Sequence, residues 1–487
     1  MNIFKNLLWS TDIHVKRYWA IVSLAIVFIS ILIFIRYPGL VENPRFWAEE
    51  TIYFETFLHA DEWVEGFDTF VYPAYYNFLS RLFGLLSTFV SIENAPAVTT
   101  FFGFLTLITP VLIIFFSNCK YWKSLKDRVI LSLFLIVSCT TGEIWLNSIN
   151  VHFITPVISF LILIDENVIS KFKNIVYTIL LFIASISGPI TLLMSPFFLV
   201  KFIQEKKKIF LIYCVALLIG GMFQLSYYYL SAESGFASPS RFNEEIFTFK
   251  RLYYLISTNV IFPMFGYFSS IAFKIGLGLI NSSMFEISNF FTVNREYSFL
   301  KPLALFLFEM RVLVNLSLII ILSFFFSMLL RLSGKEDRVY FLYLFLYLSL
   351  SMSFLSLGGD GGFRYSYITS FILLFFLYTK LPIQENFQHN FIKYILFLSI
   401  FIGFAEYKAR MVSYSSDNWP IWKEEVFLWR GDKDHNPLIW PSIKPDNPPW
   451  PKRDVAWSVN LNHNQWTESN KKYSEELIRY IDNIKGL

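Results

Sequence analysis

The sequence predicts an all-α polytopic membrane protein, and its composition, its apolar runs and its basic loops all favour that fold class. Of the 487 residues, 55% are hydrophobic and only 16% are charged, whereas soluble domains carry about 25% charged residues. Apolar runs long enough to cross a bilayer recur along the chain. Lys and Arg collect in alternate connections between these runs, and basic loops stay in the cytoplasm. The pattern predicts about 11 transmembrane helices, a cytoplasmic N-terminus and an external C-terminus.

Charge, cysteines and histidines exclude several classes of function. The formal net charge of +4 is small and scattered, so nucleic acid is not an expected partner. The 3 cysteines suggest neither a disulfide framework nor a CxxC site, and the 6 histidines show no metal-ligand spacing. The sequence contains none of the glycine-rich nucleotide-binding motifs and no metalloprotease or esterase motif.

An acidic external loop follows the first apolar run, which extends from Tyr18 to Ile35. In this loop, residues 36–96, Glu49 and Glu50 stand side by side among aromatic residues. A carboxylate held against an apolar wall tends towards a raised pKa, which suits a general base. The alternative is an ordinary acidic loop whose aromatic residues, including Trp47, are interfacial anchors.

The end of this loop, Tyr75 to Phe89, has an apolar face with Arg81 on the opposite side. Such a pattern is typical of a helix that lies along a membrane surface. We therefore expect external surface helices in addition to the spanning ones.

Two pairs of short apolar runs come next, and each pair is joined by a polar turn. The arms have about 12 residues, or roughly 18 Å as helices, against a hydrocarbon core of about 30 Å. Either the polar turns continue the helices, or the hairpins stop short and leave a water-filled funnel. The polar side chains of the first turn that would line such a funnel are Glu143, Asn147, Asn150 and His152.

The rest of the chain contains a long external or re-entrant segment, a glycine-rich turn and a tryptophan-rich tail. The segment, residues 231–302, is interrupted by Pro263 and Gly266, and the turn leads into Arg364-Tyr365. Residues 1–406 are predicted to form the membrane domain and residues 407–487 a small external module. Indoles such as Trp429 and Trp440 suit sugar rings, although a small core and interfacial anchoring is the alternative for most tryptophans of the tail.

Taken together, these features resemble the multi-spanning GT-C class of glycosyltransferases, which use lipid-phosphate sugars. The acidic pair within Phe46-Trp47-Ala48-Glu49-Glu50 looks like the signature of that class. The Ser187-Gly188-Pro189 turn, the glycine-rich turn before Arg364-Tyr365 and the tail look more narrowly like the serotype-converting O-antigen glucosyltransferases of bacteria and phage (the Gtr type). Many relatives have Glu-Asp-Gly where this chain has Glu49-Glu50-Thr51, which leaves open which carboxylate is the base.

The resemblance implies transfer of a sugar, glucose in the first instance, from undecaprenyl phosphate to O-antigen repeat units, with inversion (an EC 2.4 activity). It implies catalytic roles for Glu49 and Glu50. Donor phosphate binding is assigned to Arg364 and Tyr365, with Arg295 and Arg241 in reserve. Acceptor binding is assigned to the tryptophans and the polar residues of the first hairpin turn, namely Trp47, Glu143, Asn147, Asn150, His152, Trp429 and Trp440.

The same resemblance implies a multi-pass protein of the bacterial inner membrane that acts on its periplasmic side. No cofactor is required, although a divalent metal stays open. The implied partners are the lipid-linked donor, the lipid-linked polysaccharide acceptor, the bilayer, a bactoprenol glucosyltransferase and a small flippase, with no nucleic acid.

Two other functions stay open. An O-antigen polymerase or ligase also has many spans, but it is expected to use basic external loops. A transporter or flippase predicts charged residues inside the membrane and an internal repeat, and the predicted spans here carry almost no charge.

Overall fold

The computed structural model describes residues 13–69, 75–117, 119–166, 170–233, 255–276, 336–355, 363–379, 387–408 and 420–439, together with residues 459 and 461. Every regular element in these ranges is helical. The α-helices are α1 Ile13–Ile35, α2 Gly39–Glu42, α3 Glu50–His59, α4 Trp63–Asp68, α5 Phe78–Ser87, α6 Ala95–Phe116, α7 Leu125–Leu133, α8 Thr155–Ile164, α9 Lys171–Ile186, α10 Ser195–Glu205, α11 Lys208–Glu233, α12 Glu336–Leu355, α13 Tyr367–Tyr378, α14 Phe387–Ala405 and α15 Trp422–Gly431. A further helical stretch covers residues 255–276.

Three helices of the described part are long and apolar enough to cross a membrane: Tyr18–Ile35, Ile92–Phe116 and Lys208–Ala232. They coincide with three of the spans expected from the sequence, and the helical character of the chain is confirmed in its described part. Five further apolar helices in the described part are shorter, with 10–17 residues each. The number of about 11 crossings and the orientation of the termini stay predictions.

The chain divides into two compact units. The first unit comprises residues 1–132, 141–240 and 411–487, and the second comprises residues 133–140 and 241–410. The C-terminal tail therefore belongs to the same unit as the first external loop. The predicted boundary at residue 406, between a membrane domain and an external module, stays a prediction.

In the first unit, close backbone approaches at small residues hold the helices together. Helices α9 and α10 pack along α11. A Cβ atom on Gly220 of α11 would lie 1.8 Å from the hydroxyl of Ser185 on α9, so only glycine permits this contact. Near the first loop, α3 packs on α5, where a Cβ atom on Gly84 would lie 3.0 Å from the backbone of Tyr53.

Both predicted hairpins have arms that end before their turns. Between α7 and α8 the chain forms a π-helical turn, Phe134–Ser138, and then the short 3₁₀ turns Gly142–Ile144 and Val151–Phe153. The second hairpin passes through the 3₁₀ segment Pro189–Met194. Proline occupies the first turn of α8, α10 and the Pro189 segment, because its missing N–H is not needed there. The polar turns do not continue the α-helices.

In the second unit, the predicted interruption at Pro263 and Gly266 is not a break, because the helical stretch 255–276 continues through both residues, but the backbone at Gly266 is distorted. Gly266 has a φ of +89°, a value that glycine adopts readily. The N–H groups of Tyr267 and Phe268 donate to the buried carboxylate of Glu406, at 2.6 and 3.1 Å. The Glu406 carboxylate therefore satisfies two backbone N–H groups directly after the distorted glycine.

Candidate functional site

The acidic pair lies where the first loop turns into α3. The Glu50 N–H donates to the carbonyl of Trp47 at 2.8 Å, and the Trp47 N–H donates back to Glu50 Oε2 at 2.7 Å. This reciprocal pair closes a tight turn immediately before the helix. A carboxylate at this end is favoured because the helix dipole places partial positive charge there.

The Glu50 carboxylate also connects this turn to the first hairpin. Its Oε1 atom accepts the N–H of Ser148, and its Oε2 atom accepts the hydroxyl of Thr99 at 3.4 Å. Glu50 is only 2% exposed. Both of its oxygens are therefore occupied by hydrogen bonds that hold three segments of the chain together.

Burial changes the acidity of Glu50. Desolvation raises the pKa of its carboxyl from 4.5 to about 7, even though the N–H groups of Ser148 and Trp47 act in the opposite direction. Desolvation dominates because removing a carboxylate from water disfavours its charged form.

Glu49 occupies a different environment from its neighbour. It stands at the N-cap of α3, is half-buried, and makes no side-chain capping bond. Within the described part of the chain, its carboxylate has no hydrogen-bond partner. Glu49 is therefore the member of the pair that can still accept a proton from a bound molecule.

Two strained backbone positions flank these contacts. Ala48 has a φ of 36° and Leu146 a φ of 49°, and such values cost about 1–3 kcal/mol for a residue with a Cβ atom. Ala48 precedes the acidic pair, and Leu146 lies two residues before Ser148. Strain of this kind persists only where the surroundings enforce it, and it clusters at functional sites.

The asparagines of the hairpin turn are engaged in holding the turn itself. The Nδ2 atoms of Asn147 and Asn150 donate to the carbonyl of Glu143 at 2.7 and 2.6 Å. Asn147 Oδ1 accepts the Asn150 N–H at 3.1 Å. Both asparagines are buried, whereas the Glu143 side chain is half-buried. Of this group, Glu143 is the least buried residue, although its Oε2 atom is buried.

His152 lies where the two hairpin turns meet. Its Nδ1 atom is 3.0 Å from the carbonyl of Ile149, and the Tyr75 hydroxyl lies 3.4 Å from its ring nitrogens. A Cβ atom on Gly188 would lie 2.5 Å from the His152 side chain, which explains glycine at that position of the second turn. The turns of the two hairpins are therefore in contact in the first unit.

The tail brings α15 against the first loop. The Trp422 ring meets the Phe46 ring edge-on at 5.3 Å, and both belong to a buried apolar cluster with Phe54. Trp47, predicted to contact substrate, is 7% exposed. Trp429 packs against the same cluster, and the ammonium of Lys433 lies 3.5 Å from its ring centre, so one face of that indole is already covered. Trp440 lies outside the described residues.

The predicted phosphate-binding residues belong to the second unit. Arg364 and Tyr365 are half-buried in the 3₁₀ turn Phe363–Ser366, with the guanidinium 5.5 Å from the Tyr365 ring centre. Phe363 fixes the turn by packing on Tyr267, with ring centres 4.9 Å apart. Arg241 and Arg295 lie outside the described residues.

Sequence reasoning missed Arg36 and misplaced Arg81. Arg36 is buried, with its guanidinium 4.3 Å from the centre of the Trp145 ring in the hairpin turn. Arg81 is also buried and donates to the carbonyls of Gly66 and Thr69, each at 2.6 Å. The expectation of Arg81 on the polar side of a surface helix is wrong, because a guanidinium can satisfy several buried carbonyls at once.

Among the residues that the structure describes, no group of three His, Cys, Asp or Glu side chains could hold a metal ion. Asp432-Lys433-Asp434, which resembles a metal-binding DxD motif, forms a turn in which the Asp434 N–H donates to Asp432 Oδ1 at 3.0 Å. Comparison of the whole chain with protein-family models, with curated proteins and with solved structures finds no match.

Proposed function

We propose that the protein transfers a sugar from a polyprenyl phosphate to a glycan hydroxyl, with Glu49 as the general base. The observation that carries the proposal is that the two carboxylates of the acidic pair differ in burial and in hydrogen bonding. Glu50 is buried and both of its carboxylate oxygens accept hydrogen bonds. Glu49 beside it is half-buried, and its carboxylate has no hydrogen-bond partner among the residues that the structure describes. A base must reach the proton that it removes, so accessibility favours Glu49.

In this reaction, the Glu49 carboxylate removes the proton of an acceptor hydroxyl while that oxygen attacks the anomeric carbon. The new carbon–oxygen bond forms on the face opposite the phosphate. The bond between the anomeric carbon and the phosphate oxygen breaks, and polyprenyl phosphate leaves. One displacement inverts the configuration, and the proton ends on Glu49.

Glu50 acts as a positioning residue. Its bonds to the Ser148 and Trp47 N–H groups fix the turn that carries Glu49 against the hairpin. Precise placement matters because an error of about 1 Å in the position of a catalytic group costs on the order of 100-fold in rate.

Charge grows on the leaving phosphate, so a cation should stabilise the transition state. Our candidate is Arg364 with Tyr365, because the preceding glycine-rich sequence would let backbone N–H groups approach the phosphate. Arg241 and Arg295 are the reserves. For the acceptor, Glu143, Asn147, Asn150 and His152 stay the candidates of the hairpin turn, and the amides of Asn147 and Asn150 also bond within the turn.

The resemblance found in the sequence refines this proposal to undecaprenyl-phosphate glucose as donor and O-antigen repeats as acceptor, on the periplasmic side of the bacterial inner membrane. A bactoprenol glucosyltransferase would supply the donor, and a small flippase would bring it across the membrane.

A transfer assay with the purified chain, prenyl-phosphate glucose and lipid-linked O-antigen tests the proposal. Glu49→Gln keeps the size of the side chain and removes the proton acceptor, so transfer should fall by about 10² to 10⁴. Binding of the lipid donor should persist. Glu62→Gln is the matched control, because Glu62 is an exposed carboxylate at the N-cap of α4 without a capping bond.

Native transfer rates in the double variant Glu49→Gln, Glu50→Gln would overturn the mechanism. No transfer by the native chain, combined with polymerisation or ligation of O-antigen units, would move the assignment to a polymerase or ligase. Translocation of a lipid-linked glycan without transfer would indicate a flippase.

A further inference from the structure

The outward side of α15 exposes a large aromatic residue beside a cation. Phe427 is 76% exposed, and Lys423, one turn earlier, is exposed as well. Residues four apart share one side of a helix. An adjacent face of α15, about 100° around the helix, is occupied, because Trp422 and Val426 are buried in the cluster against the first loop. A short helix that buries one face and exposes Phe and Lys on another can lie on a membrane surface, where the aromatic ring enters the interface and the cation meets lipid phosphates.

The position of α15 indicates what covers this side. The Trp422 Nε1–H donates to the carbonyl of Ile92 at 2.7 Å, and Arg430 Nε donates to Glu93 Oε1 at 2.8 Å. Ile92 and Glu93 are the first residues of the apolar helix Ile92–Phe116, which is long enough to cross a membrane. Helix α15 is therefore held at the level where this helix would leave the hydrocarbon core.

A second aromatic residue lies at the same end. Phe89 is 73% exposed and precedes Ile92 by three residues. An exposed aromatic ring this close to the end of a span fits the headgroup region, where amphipathic and aromatic side chains collect.

We propose that α15 docks on the phospholipid surface, with Phe427 in the headgroup region and the Lys423 ammonium near lipid phosphates. The partner is the bilayer leaflet on the side of the first loop. Because Trp422 of the same helix packs on Phe46, this contact would fix the height of the acidic turn above the membrane. The inference concerns lipid contact alone and does not depend on sugar transfer.

A single fluorescent label tests the docking. The native cysteines Cys119, Cys139 and Cys214 are all buried, so Phe427→Cys provides an accessible thiol for nitrobenzoxadiazole. Asp434→Cys is the matched control, because Asp434 is exposed in the loop after α15. The native chain, treated identically, measures background labelling. Each full-length protein is reconstituted in vesicles of phosphatidylethanolamine and phosphatidylglycerol, with or without lipids that carry a nitroxide near the headgroup.

The label at position 427 should emit at shorter wavelength than the control label at position 434. The nitroxide lipids should quench it at least about twofold more strongly than the control. Equal, water-like emission at both positions would overturn the proposal. A blue-shifted label that the nitroxide lipids do not quench would also overturn it, because protein would then cover Phe427. Neither outcome bears on whether Glu49 is a base, which only the transfer assay measures.

Discussion

At the scale of single residues, the two carboxylates of the acidic pair differ because they face different surroundings. Successive helical residues point about 100° apart, so at the start of α3 one side chain enters the protein and the other stays at its edge. The Glu50 side chain, which points into the protein, accepts three hydrogen bonds there. The sequence predicted the pair, but it could not assign these roles, because Ser148 is 98 residues away from Glu50.

The raised pKa of Glu50 predicts a pH-dependent stability. The folded state keeps the proton up to about pH 7, whereas the carboxyl of the unfolded chain loses it near its ordinary pKa of 4.5. The stabilisation from the bound proton is complete below pH 4.5, and it disappears as the pH rises through about 7. The difference in the free energy of unfolding amounts to roughly 3 kcal/mol.

Unfolding midpoints of the detergent-solubilised protein across this pH range measure the effect. Glu50→Gln should flatten the pH dependence, because an amide does not titrate. The exposed carboxylate of Glu42 offers a control, and Glu42→Gln should leave the slope unchanged. An undiminished slope in Glu50→Gln would assign the titration to another group.

At the scale of elements, helix α6 supports the hairpin turn through one glycine. A Cβ atom on Gly103 would lie 2.5 Å from the carbonyl carbon of Leu146 and 2.6 Å from the nitrogen of Asn147. Both contacts are with backbone, which cannot rotate away as a side chain can. The next residue, Ser148, donates to Glu50, so the approach of α6 determines the position of the acidic turn.

Gly103→Ala should therefore push the turn away and weaken the bond between Ser148 and Glu50. We expect a loss of about 1–3 kcal/mol in stability, the usual cost of overpacking, together with reduced sugar transfer. Gly431→Ala is the control, because a Cβ atom there would meet nothing within 4 Å. Thermal unfolding and transfer rates of the two variants provide the comparison, and equal behaviour would contradict the role assigned to Gly103.

The elements also show where sequence reasoning works and where it fails. Apolar helices such as Tyr18–Ile35 were predictable because a continuous apolar run has few alternatives in a chain of this composition. The distorted backbone at Gly266 was predictable from glycine, but the continuation of the helix through Pro263 and Gly266 was not. Nor were the hydrogen bonds that Glu406 accepts, 139 residues from Tyr267. Buried Arg81 was misread because helical periodicity does not show which carbonyls a neighbouring loop presents.

At the scale of the whole molecule, the packing of α15 on the first loop restricts the topology. Trp422 and Ile92 are 330 residues apart, yet they lie in contact at one end of a helix that is long enough to cross the membrane. Two segments in contact outside the bilayer must lie on the same side of it. If these helices span the membrane, the chain must cross it an even number of times between Ile92 and Trp422. Adding the single crossing of α1 gives an odd total, which agrees with the predicted number of about 11 crossings.

Reporter fusions test this requirement. A reporter that is active only in the periplasm should be active after Leu487 and after Asp61, an exposed residue of the first loop, and inactive after Lys207. The physical reason for the last result is the run of lysines between α10 and α11, which favours the cytoplasm. The agreement between Leu487 and Asp61 is the decisive comparison, because α15 contacts the loop and the sequence after Gly431 contains no apolar run long enough to cross the membrane again, whatever the orientation of the N-terminus. Opposite signals at these two sites would mean that α15 does not pack where the structure has it.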